Sequence, residues 1–341
     1  MNLSSPLPAH RLYDEGVMST LSSTAAFDVR IQAVTRETED IISLELVDPR
    51  GRDLPEFSAG AHLDVHIAEG LVRQYSLSND PAERRRYQIA VLNEPAGRGG
   101  SKALHEKARP GATLSVSAPR NHFPLANDAK RHLLLAGGIG VTPMMAMIAT
   151  LTARGDDWRM HYCTRSAEKT AFRERLKPFI AAGNVILHHD GGDPKKGLDI
   201  AAALKKVEPG THLYYCGPSG FMAAVAAAAK HWPDGSVHFE FFNSPATLPA
   251  ETRPNTPFQV KLKSTGEVLD IPADKSIVQV LRDNGRVIDT SCEEGYCGTC
   301  LTRYVEGQPE HRDTVLDADD RAKYVLICCA RSISPMLVLD I

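Results

Sequence analysis

The chain has 341 residues, of which 43% are hydrophobic and 24% charged, and its formal net charge is −3. This composition indicates a globular protein of two or three domains and gives no case for nucleic-acid binding. No apolar run of about eighteen residues exists, which excludes a helix that spans a membrane.

The N-terminal segment, residues 1–25, is rich in Ser, Pro and Ala without a sustained period, so we expect a disordered extension. It lacks the basic start and the long apolar stretch of a signal peptide, and a cytoplasmic protein is therefore expected. Met18 is a second candidate for the first translated residue.

Residues 26–125 are dominated by short, closely spaced strand patterns, which predict an antiparallel barrel. Examples are Phe27–Ile31, Ile42–Leu46 and Tyr87–Leu92. A Gly-rich loop, Gly97–Ser101, precedes a helix predicted over Lys102–Lys107. Such a loop exposes N–H groups to an anion such as a flavin phosphate, although a hairpin tip would have the same composition.

One strand of this region reads Arg73-Gln74-Tyr75-Ser76. On an extended strand Arg73 and Tyr75 share one face, and Ser76 lies on the other unless the strand bends. A cation, an aromatic ring and a hydroxyl could serve a phosphate, a ring system and a ring nitrogen. A surface Arg beside a half-buried Tyr would give the same pattern.

Strands and helices alternate over residues 126–243, which predicts an α/β domain with a parallel sheet. Strand His132–Ala136 runs into the loop Gly137–Thr142, and a helix should follow with Thr142 as its N-cap and Pro143 as its first residue. A second strand ends in Cys216-Gly217-Pro218 before another helix. Both corners fall at carboxyl ends of strands, where open parallel sheets bind nucleotides.

A Pro- and Thr-containing linker is expected at 244–256, followed by a third domain at 257–341. This domain contains C-x4-C-x2-C at Cys292, Cys297 and Cys300, which is the plant-type spacing for a [2Fe–2S] cluster. Structural zinc usually needs two short cysteine pairs, and disulfides are disfavoured among cytosolic thiols. Either Cys328 or Cys329 has a suitable spacing for the fourth ligand.

Three further groups of residues have simpler interpretations. Neighbouring side chains of the His188-His189-Asp190 run face opposite ways on a strand, which disfavours a metal site. Met144, Met145 and Met147 are predicted as helix core. The third domain carries a small acidic excess, which would suit a basic protein partner.

Together these motifs resemble the phthalate dioxygenase reductase family, which includes the vanillate demethylase reductases, over roughly Ala25–Ile341. The resemblance rests on R-x-Y-S-L, G-R-G-G-S, P-R-N-x-F-P-L, G-G-I-G-x-T-P, C-G-P and the C-terminal cysteine motif. It implies a multidomain fold with an antiparallel β-barrel that binds flavin, a nicotinamide-binding α/β domain with a parallel sheet, and an α+β ferredoxin domain of the β-grasp type.

The resemblance also implies site residues. FMN would be held by Arg73, Gln74, Tyr75, Ser76, Ala90, Val91, Leu92, Gly99, Gly100 and Ser101. NADH would be held by Gly138, Gly140, Thr142, Cys216, Gly217 and Pro218, with Ser76, Cys216 and Phe242 nearest the reacting rings. The iron ligands would be Cys292, Cys297, Cys300 and Cys328. In the family the last ligand is followed by two small residues and an Arg, and alignment of Arg331 with that Arg makes Cys328 the fourth ligand.

The function implied is an NAD(P)H-dependent oxidoreductase that relays electrons from NADH through FMN and the cluster to a Rieske-type aromatic-ring oxygenase or O-demethylase. NADPH stays open because Arg165 could meet a 2′-phosphate. A monomer is favoured, since such carriers must undock quickly. The alternatives are a stand-alone NADH-dependent flavin or ferric reductase and a non-enzymatic iron–sulfur redox sensor.

Overall fold

A computed structural model describes residues 26–68, 71–95, 97, 99–242, 254–288, 290, 293–295, 298–313, 316 and 318–341. The predicted disordered extension and most of the predicted linker lie outside this range. The described residues form several units, each built around its own sheet, so the expectation of a multidomain chain is confirmed.

The first unit is an antiparallel sheet of seven strands with the order β4-β3-β6-β1-β2-β5 and β7 beside β3. An isolated bridge between Leu77 and Ile89 joins the ends of this path. A single helix, α1 (Gly100–Lys107), follows β5. The strands are β1 (Phe27–Arg36), β2 (Ile41–Val47), β3 (Ala61–Ala68), β4 (Leu71–Ser76), β5 (Tyr87–Leu92), β6 (Thr113–Val116) and β7 (Arg120–Asn121).

The second unit is a parallel sheet of five strands in the order β10-β9-β8-β11-β12. Its interior strand β11 has all six residues buried, as expected for a parallel strand covered on both faces. The strands are β8 (Arg131–Gly137), β9 (Asp157–Thr164), β10 (Val185–His189), β11 (Thr211–Cys216) and β12 (Val237–Glu240). The helices are α2 (Val141–Arg154), α3 (Arg173–Ala181), α4 (Ile200–Leu204) and α5 (Ser219–Ala228).

The third unit is a mixed sheet in the order β14-β13-β19-β15-β17, with β16 and β18 paired beside it. Helix α6 (Ile277–Asp283) begins with a capping box in which Ser276 and Gln279 each bond the other's backbone N–H. The remaining elements are β13 (Phe258–Leu262), β14 (Val268–Ile271), β15 (Leu301–Glu306), β16 (Pro309–Glu310), α7 (Ala318–Arg321), β17 (Tyr324–Leu326), β18 (Arg331–Ser332) and β19 (Met336–Leu339).

The first two units share a hydrophobic core. Ile41, Ala59, Ala90 and Phe123 of the first unit lie in one buried cluster with the α2 residues and Cys216 of the second. The third unit has its own cluster, whose buried members in the described chain begin at Phe258. The three methionines of α2 are buried in the shared core, as predicted.

Several element boundaries differ from the sequence expectations. The helix after β5 begins at Gly100, two residues before the expected start. The helix after β9, which the sequence pattern predicts over Ala171–Ala182, begins at Arg173, because Phe172 before it adopts a left-handed conformation with φ of 56°. Helix α4 was not predicted. None of the helices in the described part is long and apolar enough to span a membrane.

Candidate functional site

The two predicted corners of the parallel sheet lie in backbone contact. Strand β8 ends at Gly137 and β11 ends at Cys216, and the strands are neighbours. A Cβ added to Gly140 would lie 2.7 Å from the Gly217 amide nitrogen, and one added to Gly137 would lie 2.9 Å from Cδ of Pro218. These distances are too short for a side chain, so glycine is required at both positions for packing.

Gly138 differs from its neighbours because its φ is +53° and nothing lies within 4 Å of its Cβ position. The space beside it is therefore open to a ligand. A short 3-10 helix, Gly138–Gly140, runs directly into α2 at the carboxyl edge of the sheet. This geometry fits a backbone that approaches a phosphate closely.

The expected cap of α2 was wrong. The helix begins at Val141, its N-cap is Gly140, and no side chain caps it. Thr142 lies inside the first turn, where its Oγ1 donates to the Ile139 carbonyl at 3.0 Å. Pro143 is the third helical residue, a position where the missing N–H has no partner inside the helix anyway.

Strand β4 directs its predicted flavin residues to different surroundings. Arg73 packs on the start of α1, where a Cβ added to Gly100 would meet Arg73 Cγ at 2.6 Å. Gly99 has φ of +81°, and Ser101 Oγ accepts from the Glu94 N–H at 3.1 Å. A guanidinium therefore lies beside a tight Gly-rich turn at a helix N-terminus, an arrangement that fits a phosphate.

Gln74 faces away from this turn. Its Nε2 lies 3.0 Å from Nε2 of His62 on β3, so its side chain already has a partner. Tyr75 is half-buried and packs against the first unit's core. On β5, Val91 is fully buried in that core, so only its backbone could touch a bound ring, whereas Ala90 and Leu92 lie against the shared core.

Ser76 makes the bond that joins the two units at this site. Its Oγ donates to Oε2 of Glu240 at 3.2 Å, across the boundary between β4 and the end of β12. Glu240 is opposite Cys216 in the parallel pairing of β12 with β11. Burial raises the pKa of Glu240 to about 8, although the Ser76 hydrogen bond opposes that shift.

Cys216 is fully buried, and burial raises the pKa of its thiol well above the usual value. The thiol therefore stays protonated and is a poor nucleophile. Phe242, two residues beyond Glu240, is partly buried and packs against the shared core together with Leu92 and Ile139. The structure thus brings Ser76, Cys216 and Phe242 to one region, around the end of β12.

Glu240 was not identified from the sequence. In the run His238-Phe239-Glu240-Phe241-Phe242 a charged residue in an edge strand is usually exposed. The available signal was its position at the carboxyl end of a strand, two residues before the singled-out Phe242. Its contact with Ser76 depends on residues 164 positions apart in the chain.

The cysteine-rich loop is described in part, and Cys292 and Cys297 lie outside the described residues. Glu293, Gly295 and Gly298 all have positive φ, at 57°, 79° and 74°. The strained Glu293 is held by Arg282 at 2.7 Å and by Thr290 at 2.8 Å. A loop with repeated left-handed residues can turn its N–H groups toward anionic sulfur.

Cys300 and Cys328 are both buried in the third unit's core. Cys329 is only partly buried, and a Cβ added to Gly295 would meet its Sγ at 2.6 Å. The Cys329 thiol therefore lies against the Gly295 backbone. Two buried thiols beside a loop of this shape fit the donor set of an iron–sulfur cluster.

The other candidate groups have simpler roles. His188 bonds His161 at 2.9 Å and His189 bonds Thr164 at 3.0 Å, so the two rings have separate partners. Within the described ranges, no set of three or more His, Cys, Asp or Glu side chains is arranged to hold a metal ion. Arg165 is exposed just past β9.

Two family models match parts of the chain. Residues 134–227 match the oxidoreductase NAD-binding domain, and residues 260–332 match the 2Fe-2S iron-sulfur cluster binding domain. The first range contains both sheet corners up to Pro218. The second contains all four predicted iron ligands.

Whole-chain relatives are also found. The chain is 49% identical over 324 residues to the reductase subunit of tert-butanol monooxygenase / tert-amyl alcohol desaturase from Aquincola tertiaricarbonis, covering 93% of this chain and 96% of that protein. It is 46% identical over 318 residues to vanillate O-demethylase oxidoreductase from a Pseudomonas species, covering 92% and 99%. The solved structure of phthalate dioxygenase reductase aligns with a TM-score of 0.73 at 42% identity, covering 94% of this chain and 99% of that one.

Proposed function

The chain belongs to the phthalate dioxygenase reductase family, and on this basis we propose that it is an NADH-dependent reductase that supplies electrons to a Rieske-type oxygenase. The electrons pass through FMN and a [2Fe–2S] cluster. The observation that carries the proposal is the hydrogen bond from Ser76 to Glu240. It holds the predicted flavin strand against the carboxyl edge of the predicted nicotinamide sheet.

The proposed domain limits follow the three sheets. Residues 26–125 form a flavin-binding barrel, supported by the bridge between Leu77 and Ile89. Residues 126–243 form the nicotinamide domain. Residues 257–341 form a ferredoxin domain of the β-grasp type, supported by the parallel pairing of β13 with β19 beside helix α6.

The flavin site lies between β4, β5 and α1. When bound, FMN supplies the conversion between the two-electron chemistry of NADH and the one-electron chemistry of an iron–sulfur cluster. Arg73 and the backbone of Gly99, Gly100 and Ser101 hold its phosphate, because they form the cationic turn described above. Tyr75, Ala90 and Leu92 border the ring, and the Val91 and Gln74 backbones contribute contacts.

The nicotinamide site lies at the two corners. The Gly138 backbone and the N-terminus of α2, including Thr142, receive the pyrophosphate, while Gly140, Gly217 and Pro218 keep the corners in contact. Cys216 limits the position of the nicotinamide by its bulk, since its thiol stays protonated. Phe242, which packs against the shared core, would border the reacting rings and shield them from water.

Glu240 holds a proton at this junction. Its carboxyl pKa of about 8 means that a small change in its surroundings changes its charge near neutral pH. When Glu240 is ionised, the Ser76 hydroxyl must donate to it. When Glu240 is protonated, it can donate to Ser76 and free the hydroxyl hydrogen for another acceptor.

Four cysteines hold the cluster in this proposal: Cys292, Cys297, Cys300 and Cys328. The burial of Cys300 and Cys328 and the left-handed turns at Gly295 and Gly298 support this choice. The acidic excess of the domain would suit docking on a basic face of the oxygenase. A monomeric state is proposed for the same transient docking.

The test is an anaerobic titration of the purified protein with NADH, followed by absorption and EPR spectroscopy. We expect the flavin band to bleach and a rhombic signal of a reduced [2Fe–2S] centre to appear. The Cys300→Ser variant should bleach without the signal. The matched control is Cys163→Ser, a half-buried thiol on β9 that should keep both changes.

The rival functions give different results. Flavin reduction with no cluster signal would overturn the relay and favour a stand-alone flavin reductase. No reduction by NADH would favour a redox sensor. If the proposed relay is correct, addition of a Rieske oxygenase and its substrate should give product only when NADH is present. A comparison of kcat/KM for NADH and NADPH, in wild type and Arg165→Ala, tests cofactor choice.

A further inference from the structure

His62 is a buried residue on β3 that no motif identified. It lies directly opposite Ser76 in the antiparallel pairing of β3 with β4, and only 3% of its surface is exposed. Because residues two apart on a strand share a face, Gln74 and Ser76 point to the same side as His62. The three side chains therefore form one polar group under the end of β12.

Gln74 determines which nitrogen of His62 carries the hydrogen. The amide nitrogen of Gln74 lies 3.0 Å from Nε2 of His62. An amide NH₂ can only donate, so Nε2 must accept. The neutral ring then carries its hydrogen on Nδ1, and this N–H is free of hydrogen-bond partners among the described residues.

The free N–H of His62 faces Glu240. Nδ1 lies 3.8 Å from Oε1 of Glu240, while Oε2 of the same carboxyl accepts from Ser76 at 3.2 Å. The carboxyl is thus placed between two donors of the barrel strands. The longer gap exceeds a hydrogen bond, and such contacts commonly shorten when a site is filled.

Resting on the proposed function, we propose that His62 is a positioning residue that directs its Nδ1–H at Glu240, favours the ionised carboxyl, and so sets the direction of the Ser76 hydroxyl. In the electron relay the Glu240 carboxyl must exist in both its ionised and its protonated form. A site that first receives a hydride and later releases electrons singly must also release a proton. The Glu240 carboxylate can take up this proton through Ser76 and then lose it to water, so that it is ionised again before the next hydride arrives.

The surroundings keep His62 itself uncharged. Burial is the main cause of its lowered pKa. His122, whose ring centroid lies 5.3 Å from that of His62, and Arg120, opposite on β7, act in the same direction. Arg120 is in turn paired with Asp64. On the sheet side, Cys216 faces Glu240 and stays protonated. A neutral His62 can only act on Glu240 as a hydrogen-bond donor.

The test uses two variants of His62, each of which retains a nitrogen at the place of one of the two ring nitrogens. In His62→Asn the amide nitrogen occupies the place of Nδ1 and keeps the donor to Glu240, whereas in His62→Gln it occupies the place of Nε2 and does not. Infrared difference spectra of the apoprotein across pH 5 to 10 report the protonated carboxyl stretch. The band of Glu240 is the one absent from Glu240→Gln.

We expect His62→Gln to raise the titration midpoint of Glu240 by about one pH unit, a tenfold change in proton affinity, because the N–H dipole that faces the ionised carboxyl from 3.8 Å is lost. His62→Asn should keep the wild-type midpoint. Gln74→Met, which leaves the ring but removes the donor that orients it, should shift the midpoint upward as well. Equal midpoints in all variants, or equal shifts for Asn and Gln, would overturn the proposal.

This readout is independent of electron transfer. If the protein failed to reduce its cluster with NADH but the Asn and Gln variants still differed, only the proposed function would fail. In the FMN-loaded protein the same pair should differ in the pH profile of cytochrome c reduction. The profile of His62→Gln should move toward higher pH by the same amount as the infrared midpoint.

Discussion

Gly140 and Cys216 are in backbone contact at the edge of the nicotinamide sheet, with no room for even a methyl group between the corners. Gly140→Ala should therefore force the corners apart. We expect a loss of stability of about 2 kcal/mol, typical of overpacking, together with weaker NADH binding. Gly220→Ala is the control, since its Cβ position in α5 is open. Thermal unfolding and NADH titration measure both effects, and equal behaviour of the two variants would contradict the assignment.

Arg73 is expected to hold the FMN phosphate beside Gly100. Arg73→Ala should raise the FMN dissociation constant of the apoprotein by roughly 10- to 100-fold, because a charge-assisted hydrogen bond is lost. Flavin fluorescence quenching measures the constant. The exposed Arg30, whose guanidinium donates to Gln32 at 3.0 Å, provides the control variant Arg30→Ala. Unchanged FMN affinity in Arg73→Ala would remove Arg73 from the site.

The fourth iron ligand can be identified by comparing adjacent cysteines. Cys328→Ser should lose the visible absorption and the EPR signal of the cluster, whereas Cys329→Val should keep both, because Cys329 packs against the Gly295 backbone. Iron content per protein gives an independent measure. The reverse pattern would assign Cys329 as the ligand.

The His161–His188 pair predicts acid sensitivity. One ring must donate and the other accept across the 2.9 Å contact, so the hydrogen bond is lost when both rings are protonated. Burial lowers the pKa of His161 to about 4. A folded-state pKa below the unfolded value of about 6.5 means that protons bind the unfolded chain more tightly, so stability falls as pH drops from about 6.5 to 4.

His161→Gln, which keeps a hydrogen-bonding group but cannot be protonated, should flatten this dependence. The melting temperature at pH 7.5 and pH 5 measures it. The exposed His231 provides the matched control, and His231→Gln should retain the wild-type difference. If His161→Gln showed the same difference in melting temperature between the two pH values as the wild type, other groups would be the cause of the lower stability in acid.

Local motifs carry most of the site prediction. The Arg73 strand, the Gly-rich loop, both sheet corners and the cysteine run were found because turn chemistry and ligand spacing are encoded within a few residues. The side chains that contact these residues could not be predicted in this way. Glu240 meets Ser76, and His62 meets Gln74, only through strand pairing and domain packing, which a pattern of neighbours along the chain does not contain.

The start of α2 illustrates a different limit. Thr142 and Pro143 have the residue types of an N-cap and a first helical residue, but the glycines before them form a 3-10 turn that leads into the helix earlier. Tertiary packing at Gly140 fixes that turn. Local propensity was overridden by the contact with Cys216.

The shared core has a consequence for how such chains can be recombined. Because Ala90 and Phe123 are buried together with α2 and Cys216, a cut between the flavin and nicotinamide domains would expose apolar surface on both pieces. The ferredoxin domain brings a separate core that begins at Phe258. A gene fusion could therefore exchange the ferredoxin domain or move it to another position in the chain as one unit. The flavin and nicotinamide domains must be kept together.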